Sequence, residues 1–233
     1  MKPEQYAKEM IHVVNAISDT LQKKNKIKVP INSLGYKGFL LLHSIKGAAV
    51  LGFERGHGMA FKVLETLPDG TMKLSPPVLV KTSKIAVGLQ LGYNSVYSIM
   101  LLPSDEHLET LIRETETIIV KDFEVSGYPG VNSDNVSTFH KSSMSAVNDG
   151  LHITPAVISA SDSLMICDIS LYGGTLSVDH EAMTEAYGKD YCGPVEVLRG
   201  KHAVPESLTA QIAQINVGVS KLAALKAVSG GQE

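Results

Sequence analysis

Four lysines lie within six residues of the segment TLQKKNKIKVPIN, which runs from residue 20 to residue 32. They are Lys23, Lys24, Lys26 and Lys28, and we call them the lysine cluster. The whole chain of 233 residues carries a formal net charge of −3, so the cluster is a local exception. Crowded ammonium groups favour contact with an anionic partner. The alternative is a solvated connecting segment without a binding role.

Other residues that could carry chemistry do not form a recognised site. The segment GFERGHG at residues 52–58 lacks the GK[ST] ending of a phosphate-binding loop and predicts a turn between strands with glycines at positive φ. His180 and Glu181 begin like a zinc motif, but Thr184 stands where the second histidine is required. We therefore expect no metal, no cofactor and no catalytic residues. A hydrolase built from scattered His, Ser and Asp is the less favoured alternative.

The composition narrows the class of protein further. The chain is 44% hydrophobic and only 19% charged, which predicts a well-packed domain. A sequence pI of about 6.2 argues against nucleic acid as a partner. We expect a cytoplasmic chain, because neither a secretory signal nor an apolar run of membrane-spanning length is found. The two cysteines, Cys167 and Cys192, are expected to be free thiols without redox or hydrolytic activity.

The element that presents the lysine cluster is an amphipathic helix. Apolar residues recur at helical spacing from Pro3 to about Lys24, and the sequence Val29-Pro30 blocks a continuation. The apolar stripe consists of Tyr6, Met10, Val13, Val14, Ile17 and Leu21. A second helix is predicted over residues 205–228, with Leu208, Ile212, Ile215, Val219 and Leu222 on one stripe.

Between these helices the pattern is that of strands. Apolar residues alternate with small or polar ones over residues 85–92, and Pro68-Asp69-Gly70 predicts a turn. Ser104 and Asp179 are predicted N-caps of short helices, the second ending at Gly188. Residues 126–148, rich in Ser, Asn and Gly, are predicted to be a long exposed loop. The predicted class is α+β, an antiparallel sheet or barrel-like core packed with N- and C-terminal helices. It forms one domain over residues 1–228 with a flexible tail at 229–233.

The order of these features resembles the SYLF domain family. The resemblance rests on an ordered series of short motifs: GFLLL at 38–42, KGA at 46–48, GHG at 56–58, SP at 75–76, GLQLG at 88–92, ISLYG at 169–173, YG at 187–188, VLRG at 197–200 and VP at 204–205. Three features depart from the family pattern, and the first is the G-P-x-G-R segment, to which only an altered GYPG at 127–130 corresponds. Leu74 replaces a tryptophan, and Tyr172 takes the place of the glutamate in V-S-L-E-G.

This resemblance implies a β-rich domain with packed helices that binds phosphoinositide or other anionic lipids and has no catalytic residues. In some members it also implies actin binding. We expect peripheral association of a cytoplasmic protein with anionic membranes; a protein-interaction domain for actin or another acidic partner is the alternative. The predicted lipid-binding residues are Lys2, Lys8, Lys23, Lys24, Lys26, Lys28, Met10, Val14 and Ile17.

Overall fold

Five helices and eight strands are found in the part of the chain that the computed structural model describes, which comprises residues 1–23, 36–48, 51–69, 71–102, 104–113, 116–120, 137–146, 156–163 and 167–224. The helices are α1 (Pro3–Lys23), α2 (Asp105–Arg113), α3 (His180–Tyr187), α4 (Pro194–Leu198) and α5 (Thr209–Ala224). The strands are β1 (Gly38–Ala48), β2 (Leu51–Thr66), β3 (Met72–Leu74), β4 (Val78–Leu102), β5 (Glu116–Val120), β6 (Ser137–Ala146), β7 (Ala156–Ser163) and β8 (Cys167–Val178).

The strands form one antiparallel sheet organised by β4. Their order is β3-β2-β1-β4-β7-β6-β5-β8, with further pairings of β2 with β4 and of β4 with β8. The first half of β4 pairs with β2 and its second half with β1, while β1 and β2 also pair with each other. Strand β4 must therefore change direction between Val87 and Gly92, where the sequence places Gly88 and Gly92. The predicted α+β class with an antiparallel sheet is confirmed.

The two terminal helices pack together as well as on the sheet. The described side chains of both predicted apolar stripes are buried, including Tyr6 and Ile17 of α1 and Ile215 and Val219 of α5. The two helices approach closely at Gly218, because a Cβ atom there would lie 2.5 Å from Cγ1 of Val14. The apolar faces of α1 and α5 therefore belong to the core of the protein.

The predicted local signals for helix ends are confirmed. The carboxylate of Asp179 accepts a hydrogen bond from the backbone N–H of Ala182 at 3.3 Å, and α3 ends at Gly188 with φ of 72°. Oγ of Ser104 accepts from the backbone N–H of His107 at 3.2 Å. Asp69 closes the predicted turn by accepting from the N–H of Thr71 at 2.8 Å.

The turn predicted at GFERGHG is wrong. Residues 52–58 lie inside β2, and the described glycines with positive φ are Gly188, Gly193 and Gly200. Glycine is needed in β2 for another reason, since β1 passes too close for a side chain. A Cβ atom on Gly56 would lie 2.5 Å from the carbonyl oxygen of His43, and one on Gly58 would collide with the carbonyl oxygen of Leu41.

The long loop predicted over residues 126–148 is wrong in part. Strand β6 (Ser137–Ala146) lies inside this range and pairs with β7 and β5. Its pairing partners are the strands directly before and after it in the sequence, but a composition rich in Ser has low intrinsic β-propensity and gave no sign of the pairing. Residues 121–136, residues 24–35 and the predicted tail at 229–233 lie outside the described residues.

Candidate functional site

The apolar residues predicted to contact lipid face the interior. Met10 and Ile17 are fully buried and Val14 is 3% exposed, because the stripe that carries them packs on the sheet and on α5. In this arrangement the apolar face of α1 is not open to a membrane, and the lipid contact predicted for Met10, Val14 and Ile17 stays a prediction. Met10, Val14 and Ile17 hold α1 in place, and they could reach lipid only if α1 left the sheet.

The lysines predicted to bind lipid lie near the two ends of α1 or outside the described residues. Lys2 and Lys8 are exposed at the N-terminal end of α1, whereas the backbone of Lys23 forms its last residue. The remaining lysines of the cluster, Lys24, Lys26 and Lys28, lie outside the described residues. At a rise of 1.5 Å per residue, Lys8 and Lys23 are separated by about 22 Å along the helix axis. The structure therefore does not bring Lys2 and Lys8 together with Lys23.

Polar contacts fix the side of α1 that faces strands β1 and β2. Nδ1 of His43 lies 3.3 Å from a carboxylate oxygen of Glu9, and Nε2 of the same ring lies 2.8 Å from Oγ of Ser95. The ring of Tyr6 meets that of His57 edge-on, with centroids 5.3 Å apart. Burial lowers the pKa of His57 and raises that of Tyr6. Helix α1 therefore covers the row of the sheet that contains His43 and His57.

Beyond that row, side chains on the same face of the sheet are exposed in the described structure. Phe53 and Tyr93 both lie opposite Gly47 in the register of β2-β1-β4, and Ile45 lies opposite Arg55 one row nearer to α1. Residues opposite one another, or two apart along a strand, share a face, so these side chains form one surface. We call Ile45, Phe53, Arg55 and Tyr93 the aromatic shelf.

The aromatic shelf is exposed to a degree that is unusual for its residue types. Phe53 is 56% exposed, Tyr93 is 49% exposed and Ile45 is 38% exposed. A Cβ atom on Gly47 would lie 3.3 Å from the ring of Phe53, which shows that this ring lies over the glycine. Clustered apolar exposure of this kind marks surfaces that bind other molecules.

Basic groups lie on the same face as the aromatic shelf. Arg55 is exposed, and Lys81, also exposed, lies opposite His57 across the pairing of β2 with β4. Carboxylates are also found on this face: Glu9 contacts His43, and Asp162 of β7 lies opposite Ser95 in the row that contains Ile45. The shelf thus combines apolar area with positive charge, which suits the interface between the headgroups and acyl chains of a bilayer.

The opposite face of the same strands holds a buried polar cluster. Oγ of Ser44 donates a 2.6 Å hydrogen bond to the carboxylate of Glu54, and Lys46 lies opposite both Glu54 and Asn94 in the register. All four residues are buried, and Oδ1 of Asn94 has no hydrogen-bond partner within the described part of the chain. Paired charges with hydrogen bonds can be accommodated inside a domain, so we interpret this cluster as structural.

The described residues contain neither a candidate metal site nor a helix suited to span a membrane. Within the described ranges, no three His, Cys, Asp or Glu residues are grouped so that they could hold a metal ion. In the same ranges, none of the helices combines the length and the apolar character needed to cross a membrane.

Sequence reasoning missed the aromatic shelf and one polar pair. The shelf residues come from three strands, and only their pairing places Phe53 and Tyr93 on either side of Gly47. The second feature is a contact between Cys192 and His202, whose Sγ and Nε2 atoms are 2.8 Å apart. Ten residues separate the two, and no spacing rule would have joined them.

The sequence from residue 83 to residue 216 matches the family described as Ysc84, Las17-binding protein actin regulator. The chain belongs to this family. The match covers more than half of the chain and confirms the SYLF resemblance. No curated protein matches the chain, and no solved structure does.

The residues covered by the family match include only part of the candidate site. The match begins within β4 and ends within α5, so α1, the lysine cluster and Phe53 lie before it, while Tyr93 lies inside it. The family's description names a binding protein and a regulator, and it names no enzyme. Membership of the Ysc84 family therefore supports a binding function. It does not show that α1 carries this function.

Proposed function

We propose that this Ysc84 family chain is a non-enzymatic binding protein of the cytoplasm that associates peripherally with membranes containing anionic lipids. Phosphoinositides are the lipids that we expect it to prefer. The observation that carries the proposal is the aromatic shelf, an exposed apolar surface with Arg55 within it and Lys81 on the same face. In this proposal the apolar contact comes from the shelf, because Met10, Val14 and Ile17 are occupied in the core.

The lysines contribute attraction over a longer range. A lysine close to an anionic leaflet contributes about 1 kcal/mol, so the four residues of the lysine cluster contribute at most about 4 kcal/mol. Such attachment is weak and reversible unless an apolar contact accompanies it. Lys2 and Lys8 add to the positive charge at the other end of α1. The acidic remainder of the chain does not prevent binding, because charges more than about 8 Å apart are largely screened at physiological salt.

The first experiment tests the lysines by co-sedimentation with vesicles. The wild type is compared with a variant in which Lys23, Lys24, Lys26 and Lys28 are changed to glutamine, on vesicles of phosphatidylcholine with and without phosphatidylserine. We expect the variant to lose most of its binding to the anionic vesicles and added salt to weaken the wild type. Equal binding of the two proteins would remove the lysine cluster from the function. A third vesicle, containing a phosphoinositide at the same total charge, tests the lipid preference.

The second experiment tests the aromatic shelf with a matched control. Phe53→Ser and Tyr93→Ser remove exposed apolar area from the shelf, whereas Leu64→Ser removes it from an exposed position, 41% accessible, outside the shelf. Because all three side chains are largely solvent-exposed, we expect similar stabilities. Vesicle binding should fall several-fold for the two shelf variants and stay at the wild-type level for Leu64→Ser. Equal loss in all three would show that the shelf has no special role.

Binding to a protein partner is the second candidate, and the family's description as a Las17-binding actin regulator favours it. In this case the lysine cluster would meet an acidic protein face. Co-sedimentation with actin filaments, run in parallel with the vesicle experiment, separates the two candidates. Filament binding that is lost in the glutamine variant, together with no vesicle binding, would replace the lipid proposal.

A further inference from the structure

Cys192 and His202 form a close pair on the surface of the protein. Sγ of Cys192 lies 2.8 Å from Nε2 of His202, and the thiol is free and exposed. Cys192 follows the short 3-10 turn at Gly188–Asp190, and His202 follows α4, so the chain between them loops back to bring sulfur and imidazole together. Neither residue takes part in the binding function proposed above.

The imidazole of His202 is held by aromatic rings. The ring of Tyr187 meets it edge-on with centroids 5.6 Å apart, and the ring of Tyr191 lies tilted at 6.5 Å. Tyr187 is itself anchored, because its hydroxyl donates a 2.7 Å hydrogen bond to the carbonyl oxygen of Pro77. These contacts fix the ring plane and keep Nε2 directed at the sulfur. A base held in this way does not have to be ordered each time the thiol reacts.

The thiol of Cys192 is exposed, and the residue that follows it has no side chain. Gly193 follows Cys192 with φ of 120°, and a Cβ atom there would meet no atom of the described structure within 4 Å. The charged neighbour Lys201 contacts the carboxylate of Glu196. A small reagent can therefore approach Cys192 without displacing a side chain.

We infer that Cys192, contrary to the expectation from the sequence that neither cysteine has redox activity, is a site of reversible modification by small-molecule disulfides, with His202 as its base. In the reaction the thiol proton passes to Nε2 of His202, and the sulfur attacks one sulfur atom of the reagent. The S–S bond of the reagent breaks, a new S–S bond joins Cys192 to one half, and the other half leaves as a thiolate that takes up a proton. The reagent supplies the oxidising equivalents, and a free thiol reverses the modification.

The inference is tested by the rate of reaction of the folded chain with oxidised glutathione and with a chromogenic aromatic disulfide. Peptide mapping by mass spectrometry assigns the adduct to Cys192 or Cys167. We compare the wild type with His202→Gln and with the matched control His180→Gln, which changes an exposed histidine at the start of α3. Near neutral pH, His202→Gln should react about threefold to tenfold more slowly, since a base at the sulfur is lost. The control should react as the wild type does, and the difference should close at alkaline pH, where solvent ionises the thiol.

The wild type alone gives a second test that does not depend on the folding of a variant. Cys192 should react faster in the folded chain than in the same chain unfolded in urea, where His202 is no longer beside it. Equal rates in the two states, equal rates of wild type and His202→Gln at every pH, or an adduct confined to Cys167 would each overturn the inference.

Discussion

The hydroxyl of Tyr6 donates a 2.7 Å hydrogen bond to the carboxylate of Asp179, across 173 residues of sequence. The same carboxylate caps α3 by accepting from the backbone N–H of Ala182. Burial acts to raise the pKa of Asp179, but the hydrogen bonds from Tyr6 and Ala182 outweigh it and the pKa is lowered. One side chain thus holds the N-terminal helix and begins α3.

Tyr6→Phe should lower the free energy of unfolding by about 2 kcal/mol, because a buried carboxylate loses a charge-assisted hydrogen bond. Urea denaturation followed by circular dichroism measures the change. Tyr93→Phe is the matched control, since it removes the same hydroxyl from an exposed ring, and it should change stability by less than about 0.5 kcal/mol. Equal effects of the two changes would contradict the role given to Asp179.

His57 should make the protein less stable as the pH falls. Its pKa is lowered by burial, so the unfolded chain binds a proton more readily than the folded one. The contribution is complete above the unfolded pKa of about 6.5 and declines as the pH falls through that value toward the lower pKa of the folded state. Urea midpoints between neutral pH and about pH 5 measure it. His57→Phe, which keeps a ring against Tyr6, should have a smaller loss over the same interval.

Gly58→Ala should lower the free energy of unfolding by about 3 kcal/mol, because the new methyl group would collide with the carbonyl oxygen of Leu41 and the backbone of β1 would have to move. Gly47→Ala on the neighbouring strand is the control. There the methyl group would meet only the ring of Phe53, an exposed side chain that can turn away. Thermal unfolding of both variants distinguishes a backbone collision from a general cost of alanine in this sheet.

The parts of the fold that sequence reasoning predicted depend on local rules. The extent of α1, the caps at Ser104 and Asp179 and the apolar stripe of α5 all follow from spacing within a few turns of helix. The features that it missed depend on which strands pair with one another and on the register of that pairing. The glycines of β2 are explained by the backbone of β1 and not by their own φ, and the aromatic shelf exists only when Ile45, Phe53 and Tyr93 are brought together by three strands.

The sequence alone could not show that the apolar stripe of α1 is buried in the core. Periodicity identified Met10, Val14 and Ile17 as one face of a helix, but an apolar face can pack on a core or on a membrane with the same sequence pattern. In the structure, Gly218 of α5 allows close packing on Val14 of α1. Glu9 and Tyr6 of α1 form polar contacts with His43 and Asp179. These contacts hold the apolar face of α1 against the core.

The chain should unfold as one cooperative unit. Helices α1 and α5 contact each other and the sheet, and α1 also contacts α3 through Asp179, so neither terminal helix can leave without exposing core residues. We expect a single calorimetric transition whose van't Hoff enthalpy equals the calorimetric one. Two separate transitions, or two stable fragments after limited proteolysis, would contradict the assignment of residues 1–228 to one domain.

Tyr6→Phe also tests which apolar surface meets the membrane. The change leaves the formal charge and the aromatic shelf unaltered and removes one hydroxyl from the α1 stripe, and it weakens the attachment of α1 to Asp179. If Met10, Val14 and Ile17 entered the bilayer, a more easily released helix would bind anionic vesicles more tightly, by up to about 30-fold for 2 kcal/mol. We expect vesicle binding within about twofold of the wild type, because the aromatic shelf and the lysines make the contact while α1 stays on the sheet. Hydrogen exchange of α1 amides in the presence of vesicles is the accompanying measurement. Faster exchange there, together with tighter binding by Tyr6→Phe, would move the apolar contact from the shelf to the helix.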